Sequence, residues 1–296
     1  MKNLSSLHSQ TFVRNAEPST LIKIRGAYST LKKTEQRIAN AILRNPEEVI
    51  SLSVTELAEK SEASESSVVR FCKSLGYKGY YELKISLARE LVVTPQQIYE
   101  EISPKDNVGT VKHKVFQSNI LALQETIKIL NDQELEKAVE AIRKARLLVF
   151  YGMAASAAVA LDSAHKFLRI NIRSVSYSDS HMQAISASLL GKGDVAFGIS
   201  HSGSSKDVVD VLRIARQNGA TTICLTHRTK SPITKVADIK LYTAARETAL
   251  RSDAMTSRIA QLSILDVLYV SVALRRYEAS LQSLERTKEA LVDKKY

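Results

Sequence analysis

The chain has 296 residues, 44% of them hydrophobic and 25% charged, a balance that excludes a disordered or fibrous protein and leaves room for about two ordinary domains. Its formal net charge is +11, but the excess is uneven: residues 21–97 carry 12 basic against 9 acidic side chains, residues 98–136 carry 4 against 7, and residues 137–296 carry 24 against 14. Basic charge alone therefore marks no nucleic-acid-binding segment, and the basic C-terminal half fits a solvated surface or an anionic ligand equally.

The first twenty residues lack the apolar centre of a secretory signal and read as a flexible leader. Cys72 and Cys224 lie far apart with no metal-type spacing, so a disulfide framework is excluded and a reducing cytoplasm is expected. No run of about 18 apolar residues occurs. The richest segment, Ser263 to Leu274, is interrupted by Asp266 and reads as a buried helix, so no membrane partner is expected.

Residues 21–95 show apolar clusters at helical spacing and no strand-like alternation. Within them, Ser53 and Glu56 form a capping box that starts a helix at Val54 and ends near Ser61. A turn, Glu62-Ala63-Ser64, follows, and Ser64 caps a second helix from Glu65 to Leu75 that Gly76 closes. Leu57, Ala58, Val68, Phe71 and Leu75 are its expected inner faces. This is the layout of a helix-turn-helix, whose second helix puts its N-terminal residues on base edges in the major groove. Glu65, Ser66, Ser67, Arg70 and Lys73 are the expected exposed positions. Ser66 and Ser67 hydroxyls suit bases or phosphates, Arg70 can fork onto guanine, and Lys73 suits a phosphate. An ordinary helical hairpin with a polar face has the same spacing.

A softer stretch with Pro95, Pro104, Asn107 and Gly109 reads as a linker over residues 96–110. A helix from Val111 to Leu130 is predicted to place Val115, Ile120, Leu123, Ile127 and Leu130 near one face, and a second, opened by Asn131 and Glu134, to run through Lys144. From Leu147 onward, strand-like runs (LLVFYG, SVSYS, VAFGIS, TTICLT and IKLYTA) alternate with helical stretches, ending in a long apolar helix from Ala254 to Arg275. That alternation predicts a parallel sheet covered by helices over residues 111–296, with ligands bound beyond the strands' carboxyl ends.

Two loops fall there. GISHSGSSKDVVD, residues 198–210, places Ser200, Ser202 and Ser205 where a strand gives way to a helix. Hydroxyls and free N–H groups at a helix N-terminus form an anion site. The spacing matches neither a Walker loop nor GxGxxG, which favours a phosphate without a nucleotide. In GMAASAAVA, residues 152–160, Ser156 follows the first strand and can point at the same crevice.

SVVRFCKSLGYKGYYELK resembles the N-terminal domain of RpiR-type transcription regulators. GMAASAAVA, SYSDSHMQA, GDVAFGISHSGSSKDVV and AMTSRIAQLSILDVL resemble the sugar isomerase (SIS) domain those regulators carry. The resemblance spans roughly residues 21–292. It implies a flavodoxin-like α/β sensor joined to an all-α helix-turn-helix domain, and a homodimer or homotetramer built on the SIS domains. It also implies a double-stranded DNA operator of carbohydrate-metabolism genes and a sugar phosphate effector at Ser156, Ser200, Ser202 and Ser205. No cofactor and no metal are implied. One departure is Ser205 where many SIS domains have Thr. The competing reading is a sugar-phosphate isomerase or aminosugar-phosphate lyase, which needs a general base near the sugar carbons. His165, His181, His201, Asp162 and Glu247 are the candidates, and no pair at fixed spacing singles itself out.

Overall fold

The computed structural model describes residues 20–91, 102–227, 230–244 and 255–294. Residues 1–19 of the leader, residues 96–101 of the linker and Glu247 lie outside them.

The N-terminal part is helical: α1 (Thr20–Ala27), α2 (Lys33–Arg44), α3 (Pro46–Val49), α4 (Val54–Lys60), α5 (Glu65–Ser74) and α6 (Tyr80–Leu91). The capping box forms as the sequence predicts. The Ser53 hydroxyl accepts from Glu56 N at 3.2 Å, and the Glu56 carboxylate accepts from Ser53 N at 2.8 Å. Ser64 accepts from Ser67 N at 3.2 Å and opens α5. Ile38, Ile42, Leu57, Val68, Phe71, Leu83 and Leu87 are fully buried between these helices.

Then come α7 (Val108–Ile129), α8 (Asp132–Lys144), β1 (Leu148–Gly152), α9 (Ala155–Arg169), β2 (Ser174–Tyr177), α10 (Ser180–Ser188), β3 (Val195–Ile199), α11 (Lys206–Gln217), β4 (Thr221–His227), α12 (Pro232–Val236), β5 (Ile239–Thr243), α13 (Met255–Arg275) and α14 (Tyr277–Glu289). The five strands form one parallel sheet in the order β2-β1-β3-β4-β5. β1 and β3 are buried throughout because helices cover both faces. Phe150 and Phe197 point into one layer with Phe167, Leu265 and Leu268, whereas Val149, Tyr151 and Ala196 point into the other with Val208 and Leu212. The chain leaves β1 outward for β2 and reaches β3 by passing back over β1. The loops after β1 and β3 therefore diverge and open a crevice at the carboxyl edge.

The apolar face expected on α7 is not the face the fold buries. On α7, Ile120 and Ile127 are 44% and 74% exposed, and the buried residues are Ala122 and Thr126. Ala122 packs on Ala260 of α13, a close approach that only small residues allow. α7 also starts three residues earlier than predicted. The Ser257–Arg275 segment is long and apolar enough to cross a membrane by length and composition. Its Ile264, Leu265, Leu268 and Val272 are nonetheless buried against the sheet.

Candidate functional site

On α5, Ser66, Arg70 and Lys73 are exposed along the face expected for DNA. Ser67, also expected there, is buried. Its hydroxyl pairs with Ser64 Oγ at 2.8 Å and accepts from Arg70 Nη2 at 3.1 Å. Ser67 thus orients Arg70 and presents no free hydroxyl outward, because a residue three positions after the cap turns back toward it.

The crevice is built from both loops. Ala154 ends the β1 loop with φ 49°, a left-handed conformation uncommon for a residue with a side chain. A Cβ on Gly152 would lie 2.6 Å from the Ser156 carbonyl, so glycine is what lets α9 begin directly on the strand. Ser156 is buried in that first turn, and Ala154 supplies no side-chain cap. Across the crevice, Ser200 is buried and donates to Ser205 Oγ at 3.1 Å, while Ser202 is exposed and its hydroxyl accepts from Ser204 N at 3.2 Å. Ser205 starts α11 without capping it. Both helices thus bring first-turn N–H groups without a side-chain acceptor to the carboxyl edge, the arrangement that attracts an anion.

Two residues that the sequence reading missed hold this edge. Gln183 Nε2 donates to the carbonyls of Gly152 at 3.0 Å and Tyr177 at 2.7 Å, tying the ends of β1 and β2 together. Ser231 lies under the serine loop: Gly203 has φ +63°, and a Cβ there would sit 2.1 Å from Ser231 Oγ. Ile233 N donates to Gly203 O at 2.9 Å. The loop is therefore seated on the start of α12.

α12 also meets the helix-turn-helix. Lys235 Nζ donates to Glu65 Oε1 at 2.7 Å, Lys230 Nζ to Glu59 Oε2 at 3.0 Å, and Ser53 Oγ to the Lys230 carbonyl. Burial works to raise the Glu65 carboxyl, but hydrogen bonds from Lys235 and Thr55 outweigh it and leave Glu65 below the usual carboxylate range.

Behind the loop, the rings of His201 and His227 stand 5.2 Å apart. Burial pushes both down to about 4. The Lys84 charge on α6 adds to this at both rings, and His201 adds to it at His227. Both are neutral at pH 7, and a base whose conjugate acid titrates near 4 is a poor proton acceptor there. Asp162 is ion-paired to Lys166 at 2.8 Å, and His165 and His181 are exposed.

A pH dependence follows. The folded imidazoles bind protons less readily than the ordinary group near 6.5, so their contribution to stability is complete above pH 6.5 and is lost as pH falls toward 4. Each should contribute a slope of up to about 1.4 kcal/mol per pH unit in that window. Urea unfolding at pH 7 and pH 5 measures it. A midpoint that does not fall, or that falls equally in a His201→Asn, His227→Asn variant, would contradict the assignment.

The chain matches the helix-turn-helix domain model of the rpiR family over residues 19–93 and the SIS domain model over residues 141–271. It is 45% identical over 271 residues to an HTH-type transcriptional regulator of Caldanaerobacter subterraneus subsp. tengcongensis, covering 92% of this chain and 96% of that protein. It is 36% identical over 276 residues to the HTH-type transcriptional regulator HexR of Pseudomonas aeruginosa, covering 93% and 96%. Among solved structures it resembles the Vibrio vulnificus NanR protein complexed with ManNAc-6P, with a TM-score of 0.81, 28% identity, and coverage of 94% of this chain and 99% of that one.

Proposed function

The chain belongs to the rpiR family of helix-turn-helix transcription regulators with a C-terminal SIS domain, and on that footing we propose that it binds an operator of carbohydrate-use genes under the control of a phosphorylated sugar. Ser156, Ser200, Ser202 and Ser205 hold the phosphate, and Ser66, Arg70 and Lys73 meet the DNA, with Ser67 fixing Arg70. The observation that supports this most is the junction at α12. Its Ile233 carries the serine loop through Gly203, and its Lys235 holds Glu65, the first residue of the DNA-reading helix. A regulator needs a ligand to shift a balance between two states, and this junction joins the ligand loop to the DNA element directly. The neutral histidines favour binding over turnover.

In this reading DNA binding releases Glu65, in the first turn of α5, from Lys235 of α12. The docked and DNA-bound arrangements are therefore alternatives, and the effector selects between them. The half-exposed pairs Lys230–Glu59 and Lys235–Glu65 are each worth at most about 1 kcal/mol. Lys230→Gln with Lys235→Gln should therefore reduce the ratio of operator affinities with and without effector by about three- to tenfold. That ratio cancels the general loss of positive charge. Selection of bound genomic fragments, with and without hexose phosphates, supplies the operator and the effector. No specific fragment, or none responding to any phosphosugar, would overturn the reading.

Two copies match a palindromic operator best. Phe116, Ile120 and Ile127 leave an apolar stripe exposed on α7, which a second copy can cover.

A further inference from the structure

We propose that Glu65, the first residue of α5, reads the amino group of a cytosine in the major groove, and that Lys235 of the SIS domain holds that same carboxylate when the helix-turn-helix is docked. This rests on α5 being the helix that enters the groove.

Glu65 stands at the right place on that helix. At 3.6 residues per turn, Glu65, Ser66, Arg70 and Lys73 fall within an arc of about 140°, on the side away from buried Val68 and Phe71. Ser66, Arg70 and Lys73 are exposed and Glu65 is half-buried, so Glu65 borders the polar face at the helix's first turn. A helix-turn-helix puts those N-terminal residues on base edges.

The carboxylate is also already positioned. Thr55 on α4 is buried, and its Oγ1 donates to Glu65 Oε1 at 2.5 Å. That bond lies within the DNA-binding domain and does not depend on docking. Lys235 Nζ donates to the same oxygen at 2.7 Å, which leaves Oε2 outside both bonds. Burial opposes ionisation, but the bonds from Lys235 and Thr55 outweigh it. The group is therefore a carboxylate at pH 7, and it can only accept hydrogen bonds.

That chemistry selects the base. DNA phosphates repel a carboxylate, so an acidic side chain gains in the groove only where a base offers it an N–H. Two amino groups do so there, adenine N6 and cytosine N4. Adenine carries the acceptor N7 beside N6, which turns a carboxylate away, whereas cytosine presents N4 as a donor alone. Lys235 offers the same carboxylate an N–H and a positive charge. One side chain thus serves as reader on DNA and as anchor on α12, and the two uses compete.

Selection from a randomised duplex library with the full-length chain tests this, using the parent, Glu65→Gln, Glu65→Ala and Arg70→Ala. Glutamine keeps the length and an acceptor for Thr55, and adds a donor that lets it pair with adenine N6 and N7. Glu65→Gln should change the preferred base at one position of each half-site from cytosine to adenine, with discrimination of about fivefold or more. Glu65→Ala should leave that position without preference. Both variants should bind a scrambled duplex more tightly than the parent, because a negative charge is gone. A glutamate that only supports the start of α5 would, on replacement, weaken binding to all sequences alike and leave every base preference standing. Base preferences unchanged in both Glu65 variants, with Arg70→Ala altering the selected site, overturn the proposal and keep α5 as the reading helix. A selected site that none of these replacements alters overturns that reading, and this proposal with it.

Discussion

Replacing Ser202 and Ser205 together by alanine should weaken effector binding on the order of a hundredfold or more while leaving the fold unchanged. Both hydroxyls are cheap for the protein itself to lose. Ser202 is exposed and its hydroxyl takes one bond, from Ser204 N. Ser205 does not cap α11 with its side chain, and its hydroxyl accepts from Ser200 Oγ. A phosphate monoester, by contrast, carries close to two negative charges, and each hydrogen bond to it is worth about 1.5–3 kcal/mol. Two such losses compound to the stated factor. Operator affinity without effector should barely move, because neither hydroxyl touches the helix-turn-helix. Titration of the variant with the sugar phosphate that the parent binds best decides the matter. Affinity within threefold of the parent would reduce the serine loop to a turn.

The parts of this molecule legible in the sequence are those written in neighbouring residues. Ser53 with Glu56, Ser64 before Glu65, and Asn131 with Glu134 each place a helix start correctly, since a cap is a contact across three positions. The five strands stand out as apolar runs because both faces of the sheet are covered. What was not legible depends on residues far apart. α12 is five residues opened by Ser231-Pro232, and reads as a turn. Its importance comes from Glu65, 170 positions away, and from Gly203 resting on it. The buried face of α7 is chosen by the fit of Ala122 to Ala260, and helical periodicity ranks larger residues ahead of alanine. Ser67 shares the polar character of Ser66, and only the geometry around the Ser64 cap turns it inward. Gln183 looks like a surface residue in a helical run, yet it is fully buried at the carboxyl edge.

On the DNA side, Arg70→Ala should remove about 1–3 kcal/mol of operator affinity, a factor of roughly five to a hundred and fifty. Arg70 is exposed on α5, and its Nη2 donates to Ser67 Oγ at 3.1 Å, itself held by Ser64. That brace keeps the guanidinium pointing along the face a major groove would meet. Arginine matters there for its planar fork, which matches the two acceptors of guanine, and not for charge alone. Arg70→Lys should therefore lose most of the specific affinity yet retain binding to unrelated DNA. Lys73, exposed one turn further on, should behave differently. Lys73→Ala should weaken binding to every sequence and lower the salt slope by about one counterion. Filter binding or fluorescence anisotropy across a salt series, on the operator and on a scrambled duplex, separates the two. An Arg70→Ala protein with native circular dichroism and parental operator affinity would take Arg70 off the bases and leave α5 without its main reader.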